Sequence, residues 1–538
     1  MAVAEVDFEP DVVIVGAGIA GGMVADKVSA AGLKVLILES GPRLERGALV
    51  EKWRNSARTD FMAPYPMPEH APVPNPTDWG NYLIQTGPAP YHQQFIRGVG
   101  GTTWHWAAAT WRFLPNDFKL KGLYGVGRDW PLGYDDLEAH YLEAETLMGV
   151  AGEPADEIAP RSAPYPMEGI PLSFMDQFIA ERLNPHGYQM RTEPVARNRE
   201  VYDGRPPCCG NNNCMPICPI GAQYSGNIAV EKAERQGAQV ITEAVAHFVE
   251  RGPDGRIEAV RFMKPDRSEW RVRAQSFVLA ANGIEIPRLM LLSAQEGAPN
   301  GLGNSSDQVG RNLMDHPGTQ VVFDMPRPVW PGRGPQENTS ILKFRDGDHR
   351  RRMAAKKLHL WNGSAVGGVA AEAIEEGLTG EDLARTVRER AARRCSIANF
   401  HEQLPDPENR LTLSVDKMDP LGLPRPSIHY SIDDYVRESA KHTADIFRDI
   451  VEKLDATLVS VEDGSEGFRP NNHIMGGTIM GDDPKDSVVD AVCRTHDHPN
   501  LYIASSSVFA SGACVNSTLT IAALALRVGD SVVADLKG

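Results

Sequence analysis

The sequence predicts an α/β fold in which a domain with a parallel sheet, assembled from separate stretches of chain, is joined to an α+β domain with an antiparallel sheet. Three observations lead to this prediction. A βαβ unit with a glycine-rich turn fills the first forty residues, strand-like segments that could extend its sheet recur far along the chain, and the stretch 320–470 mixes alternating strands with helices. A chain of 538 residues is long enough for two such domains.

The βαβ unit is the first element of the chain. It comprises a buried-strand run at 11–15, a Gly-x-Gly-x-x-Gly turn at 16–21, a helix at 23–31 and a second strand at 34–38. Gly16 permits the tight turn, Gly18 lets the backbone approach a pyrophosphate, and Gly21 lets helix and strand pack closely. The helix N-terminus favours negative phosphates, and Glu39 stands where an acidic side chain accepts the ribose hydroxyls. These features predict a Rossmann-like dinucleotide site.

Later segments are predicted to complete the two domains. The strand-like pieces 239–242, 276–281 and 500–504 can join the N-terminal sheet, which makes that domain discontinuous. In the second domain, an alternating run at 410–415 and helices at 380–394 and 434–454 indicate an α+β unit that caps the cofactor. The predicted divisions are a dinucleotide-binding domain at 1–115, 225–320 and 471–538, a connecting region at 116–224, and a substrate-binding domain at 321–470.

Four of the seven cysteines fall within eleven residues, at Cys208, Cys209, Cys214 and Cys218. Residues 214–219 repeat the Cys-x3-Cys-Pro ending of a ferredoxin cluster loop. Glycine and prolines let the loop at 205–221 fold back, so that three sulfurs converge on one point. A disulfide pair and a structural zinc site are the alternatives, although zinc usually shows paired Cys-x2-Cys spacing. Three ligands with one spare fit a 3Fe-4S cluster best, with Cys209 as the alternate ligand.

Two further motifs can line a cleft. The run from Arg97 to Trp106 packs glycines too densely for a strand or helix interior, which lets backbone lie against a flat ligand. His473 precedes a glycine-rich segment, and Asn516 stands at the start of a helix. Both positions place a polar side chain where a cavity can form.

Composition and charge exclude several classes of function. The net charge of −16 and the pI near 5.5 argue against nucleic acid or an anionic lipid surface as a partner. The densest basic runs, at 349–352 and 356–357, are expected to be solvated surface. No apolar run is long enough to span a bilayer, and the first ten residues do not resemble a signal peptide. Membrane contact and export are therefore expected only through a partner.

The motifs together resemble the glucose-methanol-choline (GMC) oxidoreductase family over nearly the whole chain. The resemblance is carried by the N-terminal fingerprint, by the segments 98–103, 280–287 and 310–317, and by the pair His473 and Asn516. Within the family, the cysteine loop and the Gly-Val-Gly-Arg-Asp-Trp run at 125–130 are similar to the catalytic subunits of bacterial membrane-bound sugar dehydrogenases. Glucose dehydrogenase comes first, with fructose, gluconate and sorbitol dehydrogenases close behind it.

The resemblance implies an FAD-dependent dehydrogenase that acts on a sugar C–OH group. His473 is implied as the general base, since a neutral imidazole is suited to taking the alcohol proton while hydride leaves for the flavin. Asn516 is implied to orient the substrate oxygen. A Gly-Gly-x-x-x-His-Trp segment attaches the flavin covalently in the related pyranose 2-oxidases, so His105 is either a covalent attachment point or a packing histidine.

The resemblance also implies cofactor contacts and partners. The implied FAD contacts are Gly16, Gly18, Gly21, Glu39, Gly100, Gly101, Thr102, His105, Val245, Ser505 and Asn516. The cluster would pass electrons to a multihaem cytochrome c subunit. A small subunit with a twin-arginine signal would carry the chain to the periplasm.

Some assignments stay open on the sequence alone. Trp361, Asn362, Glu402 and Arg469 are candidate substrate residues, while Asp315 and His316 are assigned no role. An oxidase with a merely structural cysteine loop is one rival interpretation. A flavoprotein that only relays electrons or assists assembly, without a substrate of its own, is the rival from another class.

Overall fold

The computed structural model of the chain describes residues 3–58, 60–155 and 158–538. In these ranges the helices are α1 Ile19–Ala30, α2 Arg46–Arg54, α3 Leu120–Tyr124, α4 Glu138–Met148, α5 Phe174–Leu183, α6 Asn227–Arg235, α7 Glu285–Leu292, α8 Val366–Glu375, α9 Gly380–Ala391, α10 Asp434–Lys453 and α11 Thr518–Lys537. The first nine strands are β1 Ala4–Glu5, β2 Val12–Val15, β3 Val35–Leu38, β4 Ile84–Gln85, β5 Met190–Thr192, β6 Gln239–Ile241, β7 Val245–Arg251, β8 Ile257–Met263 and β9 Glu269–Arg273. The others are β10 Ser276–Leu279, β11 Gln320–Asp324, β12 Glu337–Ile341, β13 Lys356–Trp361, β14 Arg394–His401, β15 Arg410–Met418, β16 Pro424–His429, β17 Thr457–Val461 and β18 Leu501–Ile503.

A five-stranded parallel sheet forms the centre of the nucleotide-binding part. Its order is β18-β10-β2-β3-β6, and every neighbouring pair is parallel. The three distant segments predicted to join the N-terminal βαβ unit are all in this sheet, which confirms the discontinuous α/β arrangement. Strands β2, β3 and β10 are buried along their whole length, as expected for a sheet covered on both faces.

A six-stranded antiparallel sheet forms the second part of the molecule. Its order is β17-β11-β14-β13-β12-β5, and α10 packs against β14 and β11. The helices expected at 380–394 and 434–454 are present as α9 and α10. The alternating run at 410–415 lies elsewhere, in β15 of a separate three-stranded sheet with β16 and β4. Sequence analysis also missed the four-stranded sheet β1-β9-β8-β7.

Part of the expected basic surface is buried: Arg351 and Arg352 are exposed as predicted, but the prediction was wrong for Arg350 and for 356–357. Arg350, Lys356 and Lys357 are fully inaccessible to solvent. Arg350 pairs with Asp117 at 2.9 Å and with Glu402 at 2.6 Å, and β13 places both lysines inside the six-stranded sheet. Internal acidic and polar partners therefore replace the expected solvent.

The apolar core is divided between the two parts. The largest cluster surrounds the parallel sheet and includes residues of α1, α6 and α11, while a second cluster fills the space between the six-stranded sheet, α5 and α10. Among the described residues, no helix combines the length and apolar character needed to cross a bilayer. The two cores leave a cavity between the carboxyl ends of the parallel strands and the antiparallel sheet.

Candidate active site and cysteine loop

A cavity of about 680 Å³ brings together residues from the βαβ unit, the glycine-rich run at 97–106 and the C-terminal segment. Its size is typical of cofactor sites. Of the predicted cofactor contacts, the cavity is lined by Gly16, Gly18, Glu39, Gly101, Thr102, His105, Val245, Ser505 and Asn516. Gly21 and Gly100 do not line it, because Gly21 packs on the backbone of Gly16 and Gly100 on the indole of Trp104.

The turn after β2 is shaped to receive a flat, phosphate-bearing ligand. Gly16 has φ +109°, and a Cβ there would lie 2.7 Å from the carbonyl oxygen of Ala280. At Gly18 the nearest atom to an added Cβ, the Cα of Gly101, is 4.0 Å away, so the turn leaves open space on the cavity side. Helix α1 follows without a side-chain cap, which leaves its first amides for phosphate oxygens.

Glu39 is fixed at the end of β3 by backbone amides. Its carboxylate accepts hydrogen bonds from Ala17 N at 2.9 Å and from Gly41 N at 2.8 Å, and it is only 6% exposed. A buried carboxylate held in this way at the edge of the cavity suits the ribose hydroxyls of a dinucleotide. The residues present therefore fit an adenine dinucleotide such as FAD.

His105 presents a free ring nitrogen inside the same cavity. Its Nε2 is buried and has no hydrogen-bond partner among the described residues, and its ring packs against Tyr65 and Phe61. Burial lowers the pKa of His105 to about 4, so the imidazole is neutral and nucleophilic at neutral pH. The predicted covalent attachment to a flavin through this residue is compatible with that geometry and stays a prediction.

His473 lines the cavity and is anchored through both its backbone and its ring. Its amide donates to Asp315 Oδ1 at 3.0 Å, and its Nδ1 lies 2.7 Å from Nδ1 of His316. Phe400 meets the ring edge-on at 4.9 Å between centroids. Burial, reinforced by the nearby His316 and Lys357, keeps the pKa of His473 well below its usual value. The imidazole is therefore neutral at neutral pH, as a general base requires.

Asp315 and His316 were assigned no role on the sequence, yet both contact this site. Besides His473, Asp315 accepts hydrogen bonds from the amide of Asn471 at 3.0 Å and from Nε2 of Gln93 at 2.8 Å. These bonds hold the segment 471–473 in place. The Met-Asp-His sequence in the 310–317 segment was the available signal, but the sequence alone could not show which residue it would meet.

Asn516 lines the cavity immediately before α11, with its amide oxygen tied to a buried lysine. Lys357 Nζ donates to Asn516 Oδ1 at 2.9 Å, to Glu337 at 2.9 Å and to Glu193. Burial opposes the charged form of Lys357, but the two carboxylates outweigh it and raise its pKa. The oxygen of Asn516 accepts from Lys357, and its NH₂ group is the donor that this side chain can offer to a ligand in the cavity.

The candidate substrate residues divide into two pairs. Trp361 and Arg469 line the cavity, as expected. Asn362 does not, because its amide donates to the carbonyls of Arg333 and Pro335. Glu402 is also outside the cavity, since its carboxylate forms an ion pair with the buried Arg350. The last two assignments were therefore wrong.

The cysteine loop lies next to the cavity, which Met215 helps to line. All of the cysteines are free, with Cys214 and Cys218 buried, Cys208 partly buried and Cys209 exposed. The disulfide alternative is thus absent from the structure. The proximity of Cys214 and Cys218 contributes to a raised pKa of the Cys208 thiol, after the larger effect of burial. Cys214 and Cys218 are thus near enough to Cys208 to act on its thiol electrostatically.

The spacing of these sulfurs is wider than a single-ion site requires. Zinc at about 2.3 Å from each thiolate would hold two sulfurs about 3.8 Å apart. Among the described residues, no three cysteines have their sulfurs all within 4.8 Å of one another. As placed, no three of these sulfurs can together bind a single zinc ion.

Positive charge surrounds the cysteine loop. The guanidinium of Arg197 lowers the pKa of Cys208 against the larger effect of burial, and that of Arg46 lies near Cys218 and donates to its carbonyl oxygen at 2.7 Å. Arg197 is 1% exposed, and its Nε and Nη1 have no hydrogen-bond partner within the described ranges. A buried cation with unused donors beside three thiols fits an anionic group such as an iron–sulfur cluster.

Comparisons with known proteins agree on the family. Two family models described as GMC oxidoreductase match residues 184–318 and 405–525. The chain is 48% identical to the fructose dehydrogenase large subunit of Gluconobacter japonicus over 98% of both chains. It is 27% identical to 2-methyl-1,2-propanediol dehydrogenase of Mycolicibacterium austroafricanum, over 97% of this chain and 95% of that one.

Solved structures share the fold. Pyridoxine 4-oxidase from Mesorbium loti matches with a TM-score of 0.67 at 16% identity, covering 97% of this chain and 99% of that one. Formate oxidase of Aspergillus oryzae RIB40, in a structure titled for its FAD modification, matches with a TM-score of 0.69 at 14% identity, covering 99% and 100%.

Proposed function

The chain belongs to the GMC oxidoreductase family, and from this premise we propose that it is the catalytic subunit of an FAD-dependent sugar dehydrogenase. Its reaction is the oxidation of a CH–OH group. The observation that carries the proposal is the shared cavity, in which His473 and Asn516 lie beside a glycine turn that fits a dinucleotide.

We propose fructose as the substrate in place of glucose, which the sequence resemblance put first. The relative that is 48% identical over nearly the whole chain is named for fructose. Gluconate, sorbitol and other polyols are the remaining candidates. In the cavity, Trp361 offers a flat apolar face that suits the C–H surface of a sugar, while Arg469 lies on the wall with its guanidinium paired to Glu462.

FAD, when bound, supplies the acceptor for a hydride from the substrate carbon. The chain's own residues prepare that transfer. His473 takes the hydroxyl proton, because its partly buried imidazole is neutral and faces the cavity. The NH₂ group of Asn516 donates a hydrogen bond to the same oxygen as negative charge develops on it. Phe400 packs edge-on against the imidazole of His473 and lines the same cavity.

We propose a 3Fe-4S cluster in the cysteine loop, held by Cys208, Cys214 and Cys218. It would supply one-electron chemistry beside the flavin site. The arginines next to the loop and the position of Met215 on the cavity wall support this placement. Cys209 is exposed, which favours the other three as ligands.

The subunit name of the same relative supports an assembly. We propose that this chain works in a complex with a multihaem cytochrome c subunit as electron acceptor and with a small subunit bearing a twin-arginine signal. The complex would lie in the periplasm, associated with the membrane through its partner.

Anaerobic titration of the purified flavoprotein with fructose, glucose, gluconate and sorbitol tests the proposal. Bleaching of the flavin absorbance should be fastest with fructose. The His473→Ala variant should keep its flavin and fold but reduce it roughly 10²–10⁴ times more slowly, the usual contribution of a general base. A flavin that no sugar or polyol bleaches would instead favour the electron-relay interpretation, and near-normal turnover of the variant would remove His473 from the mechanism.

A further inference from the structure

His316 lies behind the proposed base and has hydrogen-bond partners on both ring nitrogens. It is fully buried. Its Nε2 is 3.0 Å from the carbonyl oxygen of Gly512 and 3.0 Å from that of Ala513, and its Nδ1 is 2.7 Å from Nδ1 of His473. Two imidazole nitrogens this close must share one hydrogen, so one ring donates and the other accepts.

The two carbonyls decide which ring donates. A carbonyl oxygen only accepts, so Nε2 of His316 must carry hydrogen to satisfy Gly512 and Ala513. A neutral His316 then has a bare Nδ1, which accepts. The hydrogen between the rings must therefore sit on Nδ1 of His473, and Nε2 of His473 is left with a free lone pair.

We propose that His316 is a positioning residue that holds His473 in the Nδ1–H tautomer and thereby makes its Nε2 the proton acceptor on the cavity side. The proposal rests on His473 being the base, as argued above. It adds how the chain selects the reactive nitrogen. An imidazole in the other tautomer would present N–H to the substrate hydroxyl and could not take its proton.

The surroundings of the two rings keep them from taking a second proton. The charged and titratable groups that act on either ring are Asp315, Lys357, His359 and His401. Burial is the largest influence on both rings, and it lowers the pKa of His316 as it does that of His473. Asp315 opposes this effect at His316, but its carboxylate is shared among His473 N, Asn471 N and Gln93. The pair is therefore uncharged at neutral pH.

Two substitutions separate the two contacts of His316. In H316N the side-chain oxygen can occupy the place of Nδ1 and accept from His473, while the bonds to the carbonyls are lost. In H316Q the amide reaches the place of Nε2 and can donate to Gly512 and Ala513, while His473 loses its acceptor. H498Q is a matched control, because His498 is equally buried and bonds Gly255 O and Gly303 N away from the cavity.

The tautomer is read directly by NMR on the flavin-bound full chain labelled with ¹⁵N-histidine. The long-range ¹H–¹⁵N pattern of His473, assigned by its absence in H473A, should show hydrogen on Nδ1 in the wild type and a shift toward Nε2 in H316Q. Hydrogen on Nε2 of His473 in the wild type would overturn the proposal. This measurement needs no substrate, so it stands apart from whether fructose is the sugar and from whether His473 is the base.

Kinetics give the second readout. At saturating sugar, H316Q should reduce its flavin about 10- to 100-fold more slowly, with little change in the apparent affinity for the sugar. The reason is that a base protonated on the wrong nitrogen lowers the rate of the chemical step. The loss of rate in H316N should be much smaller than in H316Q, and H498Q should reduce its flavin at the wild-type rate. Equal losses in H316N and H316Q, with melting temperatures lowered alike, would show that His316 serves the fold alone. If H316Q fails to fold, the proposal is still tested by the NMR spectrum of the wild type and by the rate of H316N.

Discussion

Asn516→Asp is the substitution that most sharply tests the proposed role of the Asn516 NH₂ group in the cavity. The oxygen of Asn516 accepts from Lys357 at 2.9 Å, so an aspartate can keep that contact and the local fold. What it removes is the NH₂ group, the only hydrogen-bond donor of this side chain. The substitution therefore changes what the substrate oxygen meets and leaves the support behind it in place.

The expected loss follows from one missing donor to a developing oxyanion. Such a donor is worth about 10²–10³ in the rate of the chemical step. The carboxylate adds a second effect, because it joins Glu193 and Glu337 around the single charge of Lys357. Like charges at this distance raise the pKa of a carboxyl group. The protonated acid can donate again, so the variant should regain part of its rate as the pH falls.

Anaerobic stopped-flow measurement of flavin bleaching by fructose isolates this step from later electron transfer. Asn472→Asp is the control for added charge, since Asn472 lines the same cavity and its oxygen accepts from Gln94 N at 2.8 Å. The control should lose far less rate than Asn516→Asp. A variant at position 516 that bleaches within about threefold of wild type at pH 7 would refute the donor role.

Three other predictions concern the cofactors and the stability of the chain. Cys218→Ser should lose the iron signal and electron delivery to an electrode, because a hydroxyl is a poor iron ligand, while fructose should still bleach the flavin. The control Cys209→Ser should keep the iron signal and electron delivery. Normal electron delivery by a folded Cys218→Ser protein would show that the loop has only a structural role. If FAD is bonded to His105, acid precipitation should leave the yellow colour in the pellet and a tryptic peptide containing His105 should carry the flavin mass; colour only in the supernatant would show a non-covalent site. Burial lowers the pKa of His359 to about 3, so the residue stays neutral in the folded chain while the unfolded chain takes up a proton below pH 6.5. Stability should therefore fall with pH, by about 2 kcal/mol between pH 6.5 and 5 through this residue alone, and urea unfolding of His359→Leu should show a shallower fall than wild type; equal slopes would contradict this assignment.

The nucleotide part of the fold could be predicted because its signals are local. The strand, glycine turn, helix, strand and acid of 11–39 follow one another directly, and the later strands β10 and β18 are short runs of buried residues. The four-stranded mixed sheet β1-β9-β8-β7 was missed because its strands are partly exposed and lack such a run.

Within the candidate site, only the residues that a sequence motif marks could be predicted. Glu39 directly follows β3, Asn516 lies just before α11, and His473 precedes a glycine-rich segment, so each is marked by a motif. Lys357 lay in a basic dipeptide that suggests surface, and its burial depends on Glu193 and Glu337, two acids distant in sequence. One signal was available, since residues of β13 two apart share a face. Lys357, His359 and Trp361 alternate along that strand, and all three face the site: the first bonds Asn516 and the other two line the cavity.

The order of strands in the parallel sheet determines how early during synthesis of the chain the cofactor can bind. Strand β2 is made first and lies in the middle, but its neighbour β10 appears only at residue 276 and the edge strand β18 only at 501. Helix α11, the last element of the chain, packs on α1, the first helix. Because a growing chain folds from its N-terminus, β2 and β3 can pair early, but the sheet is complete only after β18 has been made. Ser505 and Asn516, which line the cavity, are made later still, so a chain halted shortly before β18 should hold no FAD.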